Sequence, residues 1–210
     1  DAVNDRETSE WFMLTPAGVL RAFLHAQPDE VGRVLQLLLA GERALDAQAW
    51  AGRAQSSSLD ISALVESGWV QRLTRPLQGP EARLDDFLQH VIASLSGERR
   101  AVLASDGGFC LGRTGVDPDE ADALSAAAAD YSEFSARQRR RGWAGASAFV
   151  SFHSDVEFLL PDWSFVPFWV DGAGYWLILA GEPLLNNPAL VELLWGIKQA
   201  GSRFAVPAAF

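Results

Sequence analysis

The sequence predicts an α+β protein. A helical module over residues 1–80 precedes a three-layer α/β/α domain with a mainly antiparallel sheet over residues 81–210. Two observations carry that prediction. The first is the stretch 146–181, in which aromatic and β-branched runs alternate with turn residues: 147–152, Val156–Leu160, Phe165–Val170 and Tyr175–Ala180. The last two runs are apolar at both alternating positions, and a strand with two apolar faces needs cover on both sides. The second is the helical spacing of apolar residues in 81–97, 117–141 and 187–201, which supplies that cover.

Residues 1–13 read as a frayed start, with Trp11–Leu14 apolar enough to dock somewhere on the fold. Thr15-Pro16 opens a first helix, Thr as N-cap and Pro at the first helical position. A second helix starts at Pro28-Asp29-Glu30 and ends before Gly41, with Val31, Val34, Leu35, Leu38 and Leu39 on one side. A third runs from about Leu45 to Ala54 around Trp50. Ser56-Ser57-Ser58 forms a turn before a fourth, which carries Leu59, Ile61, Leu64 and Val65 and stops at Gly68. Trp69–Arg75 reads as a short strand, and Pro76, Gly79 and Pro80 mark the boundary. Several short helices followed by a strand form a winged-helix-like pattern. Ser56–Asp60, however, lacks the arginines and lysines that a groove-reading helix carries.

From Glu81 a helix carries Leu84, Phe87, Leu88, Val91, Ile92 and Leu95. Ala101–Ser105 and Phe109–Gly112 form a hairpin around Asp106-Gly107-Gly108. Asp117 caps the longest helix, with Pro118 first and Glu120 placed to complete a capping box. Its inward face is expected to hold Ala121, Leu124, Ala128, Tyr131, Phe134 and Ser135, and Arg137, Arg139, Arg140 and Arg141 crowd its end. Asn187-Pro188 starts a final apolar helix that ends at Gly201. Trp163, between Asp162 and Ser164, reads as the tryptophan of an exposed loop.

The order from residue 82, helix, strand, strand, long helix, three or more strands and helix, with Ser105–Phe109 at the first hairpin, resembles the roadblock (dynein light chain) family, whose fold is profilin-like. The resemblance covers roughly residues 82–204. It departs at Pro161–Val170, a Pro-containing aromatic segment where the family has a simple hairpin. It implies a homodimer formed through the long helix and the strand after it, here 118–141 and 146–152. It also implies a non-enzymatic regulatory or scaffolding role with small Ras-like GTPases. The interface residues expected on this basis are Leu124, Ala128, Tyr131, Phe149 and Ser151, with Trp163 as an exposed anchor. The run Ser125–Ala129 allows close helix approach, though an alanine-rich helix resting on its own sheet would look the same.

Composition narrows the alternatives. The net charge of −10 gives no basic footprint, so nucleic acid and anionic membranes are not expected partners. No apolar run is long enough to cross a bilayer, the polar, acidic start is not a signal peptide, and one cysteine, Cys110, cannot form an internal disulfide; together these point to the cytoplasm. A single lysine, Lys198, among 17 basic residues points to a GC-rich bacterial genome. His25, His90 and His153 lie on separate elements without metal-ligand spacing. Asp106-Gly107-Gly108 is not followed by the Lys-Ser/Thr of a phosphate loop. No catalytic residue, metal or cofactor is therefore expected. The alternative reading is a transcriptional regulator with an amino-terminal winged helix and a carboxy-terminal dimerisation or sensing domain.

Overall fold

A computed structural model describes residues 10–56, 59–81, 84–143, 149–155, 157 and 159–201, leaving aside the side chains of residues 84 and 85. The expected serine turn at 57–58, the start of the fifth helix at 82–83, and positions 147–148, 156 and 158 of the β block lie outside that set. The described chain is mixed α and β with two antiparallel sheets.

The smaller sheet has the order β2-β1-β3, built from β1 (Trp11–Leu14), β2 (Leu45–Asp46) and β3 (Val70–Leu73). Trp11–Leu14 is thus the middle strand of a sheet and not a frayed end. Phe12, Met13 and Leu14 are all buried, and their pairing with Val70–Arg72 satisfies the backbone that burial would otherwise orphan. Around it lie α1 (Pro16–Phe23), α2 (Glu30–Gln36), a 3-10 turn at Leu37–Leu39, α3 (Ala47–Ala54) and α4 (Ile61–Glu66). The expected caps form: Thr15 accepts from Gly18 N at 3.0 Å and Asp29 from Gly32 N at 2.8 Å. The third helix starts later than expected, because Leu45 and Asp46 bond to β1 and Asp46 caps Ala49 N at 2.8 Å.

The larger sheet has the order β5-β4-β8-β7-β6, with β4 (Ala101–Ser105), β5 (Cys110–Thr114), β6 (Val150–Phe152), β7 (Trp163–Val170) and β8 (Ala173–Ala180). Helices α5 (Leu84–Ala93) and α7 (Pro188–Ala200) cover one face, and α6 (Pro118–Arg140) covers the other. Strand alternation divides the side chains as two-sided burial requires. Ala101, Leu103, Leu177 and Leu179 join α5 and α7, while Val102, Ala104, Trp176 and Ile178 join α6. The β7–β8 turn is Asp171-Gly172, with φ of 50° and 84°; two positive values are what a two-residue hairpin of this twist demands.

Glu157, Leu159 and Leu160, expected in a strand, lie in turns. The neighbouring positions on β7 are poor partners for them. β8 takes one side of β7 over its whole length, β6 takes the other at Trp163–Phe165, and Pro167 has no N–H to offer beyond that. Glu120 departs from the expected capping box as well. Its carboxylate is held instead by Arg100 Nη2 at 3.0 and 3.1 Å, a charge-assisted pairing to β4's flank.

The two halves share one hydrophobic core. Phe12, Phe23 and Leu39 of the first belong to the same buried cluster as Leu103, Leu177 and Leu194 of the second. Across the seam Trp195 Nε1 donates to Gly41 O at 2.7 Å and Gln199 Nε2 to the same oxygen at 3.0 Å. Trp195→Ala should therefore cost about 3–5 kcal/mol of total stability, as large core truncations do. Urea unfolding followed by circular dichroism and by fluorescence should give one coincident transition. Two separated transitions would mean that the halves unfold independently.

A pH effect follows from Asp29. Its bonds from Arg21 (2.6 and 3.1 Å) and from Gly32 N bring its carboxyl from 3.8 down to about 2. A carboxyl lowered by folding stabilises above its unfolded pKa and stops doing so as pH falls through its folded value. The contribution should thus disappear between about pH 4 and 2. In Arg21→Gln, NMR titration should find the Asp29 midpoint moved back toward 3.8.

Candidate interaction surface

Helix α6 is the element around which the expected interface was drawn. Its inward stripe is Ala121, Ser125, Ala128 and Ser135, all buried. These small residues let the helix lie close on its own sheet, and Ser125 Oγ returns its proton to Ala121 O at 2.7 Å. Ala128 is completely buried in the chain's own core, so it is not available to a partner, contrary to the sequence expectation. Leu124 and Tyr131 are half-buried beside the same cluster. Tyr131 packs edge-on against Phe165 at 5.1 Å and lies 6.0 Å from Phe152. Burial, then the nearby Asp130, pushes its phenol above the usual range.

Trp163 is not in a loop. It is the first residue of β7, paired with Ala180 on one side and Phe152 on the other. It is half-buried, and the Arg100 guanidinium sits 5.2 Å from its ring centre. Arg100 is in turn anchored by Glu120 on α6, so Trp163 is fixed to the sheet rather than presented as a free anchor. Ser151 is exposed on β6, with its hydroxyl 3.3 Å from that of Ser164. Phe149, one residue before β6, is 42% exposed.

Besides Phe109, three exposed aromatics were not anticipated. Phe134 is 42%, Phe152 46% and Trp143 55% exposed. Phe134 was expected inside. The buried stripe reaches Ser135 instead, and Phe134, one residue earlier, is rotated about 100° away from it. Phe134 meets Trp143 edge-on at 6.3 Å, and Phe152 meets Tyr131 one turn back along α6. Phe152 with Tyr131 and Phe134 with Trp143 therefore form two aromatic pairs, one helical turn apart on α6, that make up a strip beside β6. β6 is the outermost strand of its sheet, so its outer N–H and C=O groups meet no other strand among the described residues.

Beside the strip, a cavity of about 300 Å³ opens between α6 and the β7–β8 hairpin, lined in part by Ser132, Glu133, Arg139, Trp169 and Trp176. Trp176 Nε1 donates to Ser132 Oγ at 2.7 Å, which ties the helix to this wall. Cys110 is half-buried, and burial raises its thiol above the usual value. Among the described residues no group of three or more His, Cys, Asp or Glu is placed to hold a metal ion. Helix α4, at the position of a groove-reading helix, has the sequence ISALVE and carries no cation.

Phe134 points outward from α6, so Phe134→Ser should change unfolding free energy by no more than about 0.5 kcal/mol. Phe152 packs edge-on against the buried Phe165 at 5.9 Å, so Phe152→Ser should cost more, about 1 kcal/mol. Phe165→Ala, at the buried centre of the same aromatic group, should cost about 3–5 kcal/mol, read from urea midpoints. Comparison with protein-family models, with curated proteins and with solved structures found no match to this chain.

Proposed function

We propose that the protein is a non-enzymatic regulatory or scaffold protein that forms a homodimer through α6 and β6 and binds protein partners, a small Ras-like GTPase among them. The observation that carries this reading is the aromatic strip alongside a strand edge that pairs with no other strand among the described residues. Exposed, contiguous aromatics rimmed by polar residues are the usual mark of a protein interface. An open edge strand is a template for pairing with another chain.

The charge pattern of α6 supports a second copy as the occupant. Asp119, Glu120 and Asp122 lie in its first half, and Arg137, Arg139 and Arg140 at its end. A two-fold axis perpendicular to α6 would run the two copies antiparallel and set the acidic half of each against the basic end of the other. Ala123 and Ala126 are exposed between these regions and permit close approach. The order β5-β4-β8-β7-β6, with α6 on one face and α5 and α7 on the other, supports the resemblance to the roadblock fold. The GTPase and the cytoplasmic location rest on that resemblance and on composition.

Light scattering on a size-exclusion column should return twice the chain mass. Phe134→Glu with Phe152→Asp should return a folded monomer, because both charges would be buried in the interface. A wild-type chain that stays monomeric at micromolar concentration removes the dimer. Capture from source-cell lysate, with and without a non-hydrolysable GTP analogue, should retain a small GTPase in a nucleotide-dependent way. Capture that is indifferent to nucleotide removes that partner class.

A further inference from the structure

We propose that the cleft between the amino-terminal module and the sheet domain binds a small organic cation with an apolar body, an arylalkyl or alkyl ammonium. The cleft has a volume of about 540 Å³, within the range of sites that enclose a small molecule. Its floor comes from both halves of the chain: Met13 from β1, Phe87 from α5, and Val191 and Trp195 from α7. Met13, Val191 and Trp195 are 1%, 6% and 3% exposed, so the floor is packed and preformed. Trp195 is further fixed by its bond to Gly41 O, and this leaves the ring as a rigid wall.

The charge of the lining selects the ligand. Glu81 and Glu192 both contribute to the cleft, and its described lining contains no Arg, Lys or His. The other three sizeable cavities differ, for they are lined by Arg139, by Lys198, or by Arg33 and Arg53. Two carboxylates over an apolar floor, in a chain of net charge −10, attract a cation and repel an anion. The half-buried Phe87 ring and the edge of Trp195 that reaches the cleft suit an ammonium with a hydrocarbon body. The cleft bridges the seam on which the shared core depends, so a bound ligand would contact both halves at once.

The test uses the full chain and three probes of nearly equal shape: tryptamine, tryptophol and indoleacetate. Calorimetric titration should show saturable binding of tryptamine, about tenfold or more tighter than tryptophol, as expected for a hydrogen bond to a charged group. Indoleacetate should bind more weakly than either. The double variant Glu81→Gln/Glu192→Gln, altered only at exposed side chains, should lose the tryptamine preference and keep its affinity for tryptophol. In nitrogen–proton NMR spectra, tryptamine should move the Trp195 indole peak, assigned by its absence in Trp195→Phe. Three results would each overturn the proposal: no saturable binding of tryptamine, equal binding of tryptamine and tryptophol, or an unchanged preference in the double variant. Movement of indole peaks other than Trp195 alone would place the ligand elsewhere and overturn it as well.

Discussion

Strands β4 and β8 lie in the interior of the five-stranded sheet and present apolar side chains to both of its faces. Neither face can be left in water. Each fully buried Leu or Ile is worth about 1.5–3 kcal/mol relative to exposure, and β4 and β8 together hold Leu103, Leu177, Ile178 and Leu179, all 0% exposed. Much of the remaining architecture answers that constraint. Helix α6 lies close on one face through Ala121, Ser125 and Ala128, and α5 and α7 close the other. The amino-terminal half packs in turn against α7 and β7, chiefly through α1, and extends the same core.

The cover is uneven, and function is proposed where it stops. On the α6 side the buried stripe ends near Ser135, while the helix continues to Arg140. The last turns therefore carry their large side chain, Phe134, outward. On the same flank β7 is longer than its neighbour β6, and Pro167 blocks the uncovered part. The sheet thus exposes a short pairing edge at β6, and a proline blunts the longer edge next to it. That is an economical way to permit one specific strand partner while discouraging indiscriminate pairing.

The seam between the halves is set differently. A core shared across residue 80 makes the amino-terminal module a structural partner of the sheet domain as well as an attachment to it. Gly41 O receives both Trp195 and Gln199, so one carbonyl ties the 3-10 turn region to α7. Close packing along α7 is incomplete where Pro80 and Glu81 lead toward α5, and there the cleft remains.

Local chemistry alone determined much of this protein. Thr15-Pro16, Asp29, Asp117-Pro118 and Asn187-Pro188 mark helix starts because each offers a side-chain oxygen to backbone amides that have no other partner. Asp106-Gly107-Gly108 and Asp171-Gly172 mark hairpins because a positive φ is cheap there. The two-faced runs at 165–170 and 175–180 require a covered sheet. What depended on distant partners was decided only by the tertiary structure. Trp11–Leu14 becomes a central strand because β3, some 60 residues later, supplies its hydrogen bonds. Glu157, Leu159 and Leu160 belong to a run with the composition of a strand but lie in turns, and Pro167 leaves the uncovered part of β7 without an N–H to pair. Ala128 and Phe134 were both expected inside, yet they lie about 120° apart around α6. Only the sheet beneath α6 decides that one is sealed and the other exposed, because periodicity gives the spacing of a stripe but not where its cover ends.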